Sequence, residues 1–480
     1  MLSTAATAAS SLLFWVVAAR SYSAESVGIA SSEIAAFTML AGFAQLNLLS
    51  VFLRFLASAG NRAVRFLGIG YTAIVVAGLV LGGGYLLFGL AGGFFDGAPP
   101  WEYAVFVLAV PVFGWFVVQD GVLTAFAKAP WVPVENLAVA LVRLGLLGLV
   151  VPVLVGESHS RPGIVAAWAV PTLLAVLVVN AFVFRRLAPD EVRRSLDRSS
   201  LPPARTMVSF VVAQYANNTV NNVVTYVPPL LVLHLLGPAD AAYFNVPWLI
   251  VVSTQTLLWN LGMSFVAEVT RRPQAIALHV RSILRLGGVV VLGWTAALLV
   301  GGSLLLSLQG AEFNAQGAGL LRVLALSFPL SAVVILYSVI ASLERRIWHL
   351  VAVNAVGAAA LLVAVFLATG STGITGVGVI YLLVQAGLAA VLLPSLVRKL
   401  RSGTIRLPEH AGDDAPAGDG HDAGGPTAQA QLVEALGPPA VPTSTDPAVA
   451  AGPDSAPPVA ARAGRPGGDG SEQPPGGQDR

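Results

Sequence analysis

The chain of 480 residues is 56% hydrophobic and 11% charged, with a mean hydropathy of +0.76 and a formal net charge of +2. A soluble domain carries roughly a quarter charged residues, so this composition excludes a soluble protein and predicts an all-α polytopic membrane protein. The chain has no cysteine, which excludes disulfides, thiol chemistry and cysteine-based metal sites.

Apolar runs follow one another from the N-terminus to about residue 397. Most are about 17 to 25 residues long, the length of helix that crosses a hydrocarbon core about 30 Å thick. The first run has no preceding Lys or Arg, so we interpret it as an uncleaved span rather than as a secretory signal. We predict about twelve transmembrane helices, at approximately residues 3–19, 29–53, 66–90, 102–125, 134–155, 164–184, 207–235, 242–266, 283–308, 319–341, 347–369 and 375–397.

Basic residues fall in alternate loops. One set of loops holds nearly all of the Arg and Lys, whereas the other set holds little but Arg20 and Arg161. The positive-inside rule then places the basic loops and both termini in the cytoplasm. Lys128 and Lys399 are the only lysines, and the bias to Arg, Ala and Gly is typical of a GC-rich bacterial genome. We therefore predict a multi-pass protein of the bacterial cytoplasmic (inner) membrane.

Two pairs of segments indicate an internal repeat. SAESVGIASSEIAAF, which starts at Ser23, aligns with PADAAYFNVPWLIVV, which starts at Pro238. VLTAFAKAPWVPVEN, from Val122, aligns with VIASLERRIWHLVAV, from Val339. Because the two pairs have nearly the same separation along the chain, we predict two parallel six-helix bundles with the substrate path between them.

The composition changes after about residue 400. The following segment is acidic and rich in Pro, Gly and Ala, so it cannot offset its ordering entropy and we predict a disordered cytoplasmic tail. Either the tail is passive or it docks a partner protein. The predicted domains are an N-terminal bundle at 1–187, a basic cytoplasmic linker at 188–206, a C-terminal bundle at 207–400 and the tail at 401–480.

The seventh predicted span contains the polar stretch AQYANNTVNNVVTY, residues 213–226. At 100° per residue its amide and hydroxyl side chains fall within an arc of about 140° on one helix face. Buried amides without partners are costly, so this face must meet other helices or water. The alternatives are interhelical hydrogen bonds and a hydrated central cavity for a polar neutral ligand such as a sugar. The residues concerned are Gln214, Asn217, Asn218, Asn221, Asn222 and Thr225.

Charges within the predicted spans are few. Asp120 lies in the fourth span and Arg143 in the fifth. Charged residues at such depth pair with each other or face a cavity. One hypothesis is a mutual ion pair; the other is that Arg143 attracts a phosphate-bearing substrate while Asp120 tunes it or accepts a proton. We expect Glu33 and Glu268, nearer the span ends, to snorkel or to be solvated.

Catalytic motifs are lacking in the sequence. It has no GxxxxGK[ST] phosphate loop, and no HExxH or GxSxG where it could work. We therefore expect a carrier rather than an enzyme, with no cofactor, no metal and no nucleic-acid partner.

Two segments carry a resemblance to a known family. The run FWVVAARSYSAESVGIASSEIAAFTMLAGFAQLNLLSVFLRFLASAG resembles the first two helices of bacterial oligosaccharide and O-antigen flippases of the Wzx type, with Arg20 ending the first helix and Arg54 near the end of the second. QDGVLTAFAKAPWVPVEN resembles the family's hairpin of fourth and fifth helices, and it ends in Asn136. The likeness spans about residues 5 to 400.

The resemblance implies a member of the multidrug, oligosaccharidyl-lipid and polysaccharide exporter superfamily. Such proteins are expected to alternate access to a cavity between two bundles and to flip a glycan on undecaprenyl diphosphate to the outer leaflet. Substrate-binding roles carry over to Arg20, Arg54 and Asn136 only. Membrane lipid is the second expected partner, and polysaccharide-assembly proteins are the candidates for the tail.

Other classes stay open. An ion-coupled exporter of cationic drugs shares the architecture but should have acidic residues in its cavity, for which Asp120 is the strong candidate. A major-facilitator carrier also has six plus six helices, but RFLASAGNRAVRF does not match its basic loop after the second helix. A polysaccharide-locus scaffold acting through the tail is the third alternative. The peptidoglycan precursor flippases carry two further helices, so a cell-wall precursor is the less favoured cargo.

Overall fold

A computed structural model describes residues 2–95, 98–150, 160–194, 201, 204–271, 276–344 and 347–402. Within these residues the regular secondary structure is entirely helical, so the predicted all-α fold is confirmed. The tail from residue 403 and parts of the predicted linker lie outside the described residues.

Fourteen α-helices follow one another along the described chain. Short 3₁₀ or π segments at Ala57–Arg62, Leu146–Val150 and Val183–Leu187 connect or extend some of them. The helices are α1 Leu2–Ser21, α2 Ala24–Ala44, α3 Leu48–Phe55, α4 Ala63–Leu87, α5 Pro100–Ala125, α6 Trp131–Gly145, α7 Ser160–Phe182, α8 Ala188–Arg194, α9 Ala204–Leu236, α10 Pro238–Arg271, α11 Ile276–Ser307, α12 Ala311–Leu326, α13 Phe328–Leu343 and α14 Ile347–Ser402.

Each predicted span coincides with one or more helices. In the described residues ten helices are long and apolar enough to cross a membrane, and an eleventh is counted when α12 and α13, bent by 44°, form one span. The apolar part of α1 is shorter, at Ser10–Ser21. Helix α14 covers the last two predicted spans, which meet at the non-helical Gly373, with φ 64°. The chain is therefore a multi-pass membrane protein.

The second predicted span, 29–53, is broken in the structure. Leu46 and Asn47 have φ values of 52° and 57°, in the left-handed region, and separate α2 from α3. Asn tolerates this conformation, but Leu pays roughly 1–2 kcal/mol for it. Asn47 is buried, and its Oδ1 accepts hydrogen bonds from Ser50 Oγ at 3.1 Å and from Asn218 Nδ2 on α9 at 2.8 Å. The break thus places a polar side chain at the centre of the bundle.

Helix α2 is the main bridge between the first helices and the last. It packs against α4, α5 and α7 on one side and against α9 and α10 on the other. At its start Gly28 lies so close to the start of α10 that an added Cβ would stand 1.7 Å from the Pro238 carbonyl oxygen. Helices α2 and α10 are therefore in close contact at this end, which we call the outer end because the prediction places it outside the cytoplasm.

The opposite end of the bundle is where α3 ends and α9 begins. We call it the basic end, since the Arg-rich loops of the sequence adjoin it. The division into bundles at 1–187 and 207–400 stays a prediction, as does the cytoplasmic location of the basic end.

Candidate functional site

A central cavity of about 780 Å³ lies between α2–α3 on one side and α9, α10, α13 and α14 on the other. It extends from the middle of these helices to the basic end, where Arg54 and Ser342 line it. A cavity of this size is in the range that holds a small ligand or the headgroup of a larger one. Helices α2 and α10 meet at Gly28 near the outer end, and the described cavity lies on the basic side of that contact.

The amide face of α9 forms one wall of the cavity. Gln214, Asn217, Asn218 and Asn221 line it. Asn222 does not, since its Nδ2 donates to the Met39 carbonyl oxygen on α2 at 2.7 Å. Both alternatives for this face therefore apply: Asn222 bonds another helix, and the other amides border the cavity.

Two of the lining amides also bridge helices. Asn217 is 4% exposed and its Oδ1 accepts from Asn354 Nδ2 on α14 at 3.1 Å. Asn218 donates to Asn47, as described above. These contacts fix two amides in place, and Asn221 remains exposed to the cavity.

Polar residues that the sequence reasoning missed complete the lining. Gln255 on α10 and Gln385 on α14 both donate to the Tyr381 hydroxyl, the second at 2.8 Å. Three buried lining atoms, Gln45 Oε1, Asn47 Nδ2 and Gln385 Oε1, have no hydrogen-bond partner among the described residues. They supply both donor and acceptor capacity, which a sugar hydroxyl or a water needs. The further polar lining residues are Ser50, Thr256, Trp259, Ser331, Ser338 and Ser342.

Charge is scarce in this lining. Of the described residues that border the cavity, Arg54 alone carries a formal charge. It is exposed at the basic end, beside the ring of Phe55, whose centroid is 5.5 Å from the guanidinium carbon. Arg20 lies elsewhere: it ends α1 at the outer end and its Nε donates to the Leu308 carbonyl oxygen after α11. The structure thus separates two arginines that the resemblance grouped together.

Asp120 and Arg143 do not form an ion pair with each other. Arg143 Nη2 donates to Thr172 Oγ1 at 2.7 Å, and its guanidinium lies 3.9 Å from the centroid of the Trp168 ring. Asp120 Oδ2 instead accepts from Asn136 Nδ2 at 3.3 Å. Asp120, Asn136 and Arg143 are all absent from the cavity lining. The hypothesis of a mutual ion pair was therefore wrong.

Asp120 and Asn136 belong to a partly buried polar cluster of five side chains on α5, α6 and α7. Gln119 on α5 joins α6 and α7, because its Nε2 donates to Glu135 and its Oε1 accepts from Asn180 Nδ2 at 3.0 Å. Asp120 Oδ1 and Glu135 Oε2 are buried without a hydrogen-bond partner among the described residues. This polar cluster is separate from the cavity, and it holds two carboxyl groups without a described ion pair.

Glu33 differs from its prediction as well. It is 4% exposed and is not solvated, because Arg161 on α7 lies with its Nε 4.0 Å from Glu33 Oε2 and pairs more closely with Glu102 on α5. One arginine thus joins two carboxylates and three helices at the outer end. The partner is distant in sequence, so no local pattern could have indicated it. The side chain of Glu268 lies outside the described residues.

The comparisons with known proteins concern the fold. No protein-family model matches the chain, and no curated protein matches it. A multidrug resistance MATE family transporter of the MOP superfamily, inward-facing, superposes with a TM-score of 0.61 at 12% identity, over 83% of this chain and 96% of that one.

Two further solved structures agree with the first. Lipid II flippase MurJ, in an inward closed conformation, gives a TM-score of 0.54 at 11% identity, over 83% of this chain and 88% of that one. A MOP superfamily transporter from Pyrococcus furiosus gives 0.52 at 12%, over 83% and 95%. At such low identities the likeness shows the fold alone. The chain therefore has the fold of MOP-superfamily transporters, as expected, while the narrower Wzx type stays a prediction.

Proposed function

We propose that this protein flips a lipid-linked oligosaccharide, carried on undecaprenyl diphosphate, from the cytoplasmic to the outer leaflet by alternating access, for surface polysaccharide biosynthesis. The observation that carries the proposal is the chemistry of the central cavity. Its described lining is rich in neutral amides and hydroxyls and has Arg54 as its one charge. The fold, which a lipid II flippase shares, is compatible with such a cargo.

The amide side chains of the cavity lining provide the hydrogen-bonding groups that a glycan needs. A sugar presents hydroxyl groups that both donate and accept, and each Asn or Gln side chain offers both functions. Gln255 and Gln385 line the same cavity as the amide wall of α9, so a neutral polar headgroup meets amides from three helices. Since the cavity borders membrane-spanning helices, the lipid chain stays in the bilayer while the headgroup enters.

Arg54 provides the positive charge and the hydrogen-bond donors that a diphosphate needs. A guanidinium binds phosphate oxygens through paired hydrogen bonds and keeps its charge at any physiological pH. Its place at the basic end is where a headgroup from the cytoplasmic leaflet enters, given the predicted orientation. Alternation then requires the Gly28–Pro238 contact to open and the basic end to close.

An ion-coupled multidrug exporter is the second candidate, since a MATE transporter has the same fold. The buried carboxyl groups of Asp120 and Glu135 favour it, because acidic residues bind cations. They lie outside the cavity lining, however, whereas a cationic drug needs them within it. The location of the acidic groups therefore favours the glycan carrier.

The deciding experiment depletes the protein in its own cell and measures lipid-linked glycans and surface polysaccharide together. The proposal expects undecaprenyl diphosphate glycans to accumulate on the cytoplasmic side while surface polymer is lost. Unchanged glycans with new sensitivity to cationic compounds would instead support the drug exporter.

Complementation with a pair of arginine variants sharpens this test. Arg54→Ala should reduce transport roughly tenfold or more, because a hydrogen bond to a charged group contributes about 1.5–3 kcal/mol. Arg62→Ala is the matched control, since Arg62 is also exposed near the basic end but does not line the cavity. Equal transport by the two variants would contradict the role of Arg54 in binding the diphosphate.

A further inference from the structure

The tail leaves the bundle beside the central cavity. Helix α14, the last described helix, ends at Ser402. Three residues before that end, Lys399 Nζ forms an ion pair with Glu344 Oε2. Glu344 follows Ser342 by two residues, and Ser342 lines the cavity at the basic end together with Arg54. We call this part of the cavity the mouth. The tail therefore begins near the mouth, whichever way the protein is oriented in the membrane.

The surface around the mouth is rich in positive charge. Two of the described carboxyl groups at the basic end, Asp190 and Glu344, already have cationic partners in Arg193 and Lys399. Further arginines at this end are exposed, so their summed charge attracts an anion. They include Arg54, Arg65, Arg185, Arg186 and Arg398.

The first part of the tail has the opposite charge. Residues 409–422 contain five carboxyl groups and no Lys or Arg, and we call them the proximal acidic segment. The segment begins seven residues after Ser402, and an extended chain of that length spans at most about 25 Å. It therefore reaches the mouth beside which the tail begins. Its acidic residues are Glu409, Asp413, Asp414, Asp419 and Asp422.

The covalent link makes this segment an effective ligand for the mouth. A segment held by a short link has an effective concentration on the order of 1 mM near the surface it can reach. Each exposed charge pair contributes little by itself, but at this concentration several weak pairs are enough to populate the docked state. A separate anion of the same low affinity has no such advantage.

We propose that the proximal acidic segment docks at the mouth of the central cavity, with its carboxylates at Arg54, and competes there with the diphosphate of the cargo. The docking depends on charge and position alone, whereas the competition rests on the proposed function. A docked segment lowers the apparent affinity for the headgroup and slows loading. Anionic lipid headgroups are the competing occupant of this surface, and they are an outcome of the test.

Two matched variants of the full chain separate the segment from the general charge of the tail. The proximal variant carries Glu409→Gln, Asp413→Asn, Asp414→Asn, Asp419→Asn and Asp422→Asn. The distal variant removes the same number of carboxylates further along the tail and leaves its length unchanged. Its changes are Asp446→Asn, Asp454→Asn, Asp469→Asn, Glu472→Gln and Asp479→Asn.

The first measurement is the affinity for inorganic pyrophosphate in detergent, by titration calorimetry. The proximal variant should bind about threefold more tightly than the unmodified protein, the factor expected when a competitor present at twice its dissociation constant is removed. The distal variant should bind as the unmodified protein does. The gain should disappear in an Arg54→Ala background, and it should shrink above about 0.5 M salt because exposed charges are then screened. Equal gains in the two variants would overturn the inference.

The second measurement needs no ligand. Spin labels at Ala57→Cys, an exposed position three residues after Arg54, and at Ala417→Cys within the segment report their separation in a chain without native cysteine. The unmodified tail should give a short, defined distance that the proximal changes abolish. A distance distribution without this short component would overturn the docking.

Three combined results assign the failure to one part of the argument. A short distance in detergent that is lost in liposomes of anionic lipid would overturn the inference in favour of lipid headgroups. A short distance with no gain in pyrophosphate affinity for the proximal variant would overturn the competition at Arg54. Docking and competition in the purified protein, with lipid-linked glycans unchanged on depletion in the cell, would refute the proposed function alone.

Discussion

The first and the last helices of the described chain differ in where their polar residues lie. The first helices bury ionisable groups inside their own bundle, as in the polar cluster around Asp120 and in the Glu33–Arg161–Glu102 contacts. The last helices also hold a largely buried ion pair, Glu344 with Lys399, near the basic end, but they present mainly amides and hydroxyls to the cavity. In the first half most ionisable side chains therefore contact other helices or belong to the polar cluster around Asp120. The lining of the central cavity is almost neutral.

The largest effect is expected from removing Arg161, the cation that contacts Glu33 and Glu102 at the outer end. Arg161→Ala leaves Glu33 and Glu102 buried without their partner, and breaking a buried pair in this way costs about 3–5 kcal/mol. The expected result is a large drop in thermal stability in detergent, measured by the melting temperature. Glu102→Gln removes one of the two carboxylates that Arg161→Ala leaves unpaired. The double variant should therefore recover part of the lost thermal stability.

The control for that variant is Arg193→Ala. Arg193 pairs with Asp190 on α8, but its side chain is 81% exposed, and exposed pairs contribute little. Its melting temperature should stay near that of the unmodified protein. Equal losses in the two variants would contradict the assignment of Glu33 and Glu102 to a buried cluster.

An intermediate effect is expected at the contact that closes the outer end. Gly28→Val places side-chain atoms against the Pro238 carbonyl, and such overpacking costs about 1–3 kcal/mol in the closed arrangement. The population should shift toward an outer end that is open. Spin labels at Glu25→Cys and Ala239→Cys, both exposed positions, measure this separation in a chain that has no cysteine of its own.

Gly83→Val on α4 is the matched control for Gly28→Val, because a Cβ added at Gly83 has no other atom within 4 Å. It should leave the label distance unchanged. An unchanged distance in Gly28→Val as well would show that this contact does not gate the cavity.

The sequence predicted the features that depend on local composition. Span length and hydropathy predicted the positions of the ten or eleven described spans that are long and apolar enough to cross a membrane, against twelve predicted, and helical periodicity identified the polar face of α9. The break at Leu46 and Asn47 was missed, because no Gly or Pro marks it and the left-handed backbone is held by contacts with α9.

The rest of the site depends on contacts between distant residues. Gln385 and Asn354 each appear as isolated polar residues in apolar runs, and Gln255 lies in the short polar run STQT, so helical periodicity does not select them. The partner of Glu33 is similarly hidden, because Arg161 is on another helix. The hypothesis that Asp120 and Arg143 form an ion pair was also wrong. The two residues lie on consecutive helices, but their side chains contact different partners.

The smallest expected effect separates two neighbouring residues on α9. Asn221→Ala removes an exposed cavity amide, so binding of a soluble glycan diphosphate headgroup should weaken by about three- to tenfold, the contribution of one hydrogen bond. Asn222→Ala removes the hydrogen bond to Met39 instead and should lower stability by only about 0.6 kcal/mol, with affinity unchanged. Titration calorimetry and thermal melts measure the two quantities.

Asp120→Asn completes this comparison from the other half of the molecule. Asp120 does not line the cavity, so headgroup affinity should stay within about twofold of the unmodified protein even though the polar cluster loses a carboxyl group. A strong loss of affinity in Asp120→Asn, with none in Asn221→Ala, would reverse the assignment of the two regions. The ligand site would then lie among the carboxyl groups of the first half, and the cation exporter would become the better account of this fold.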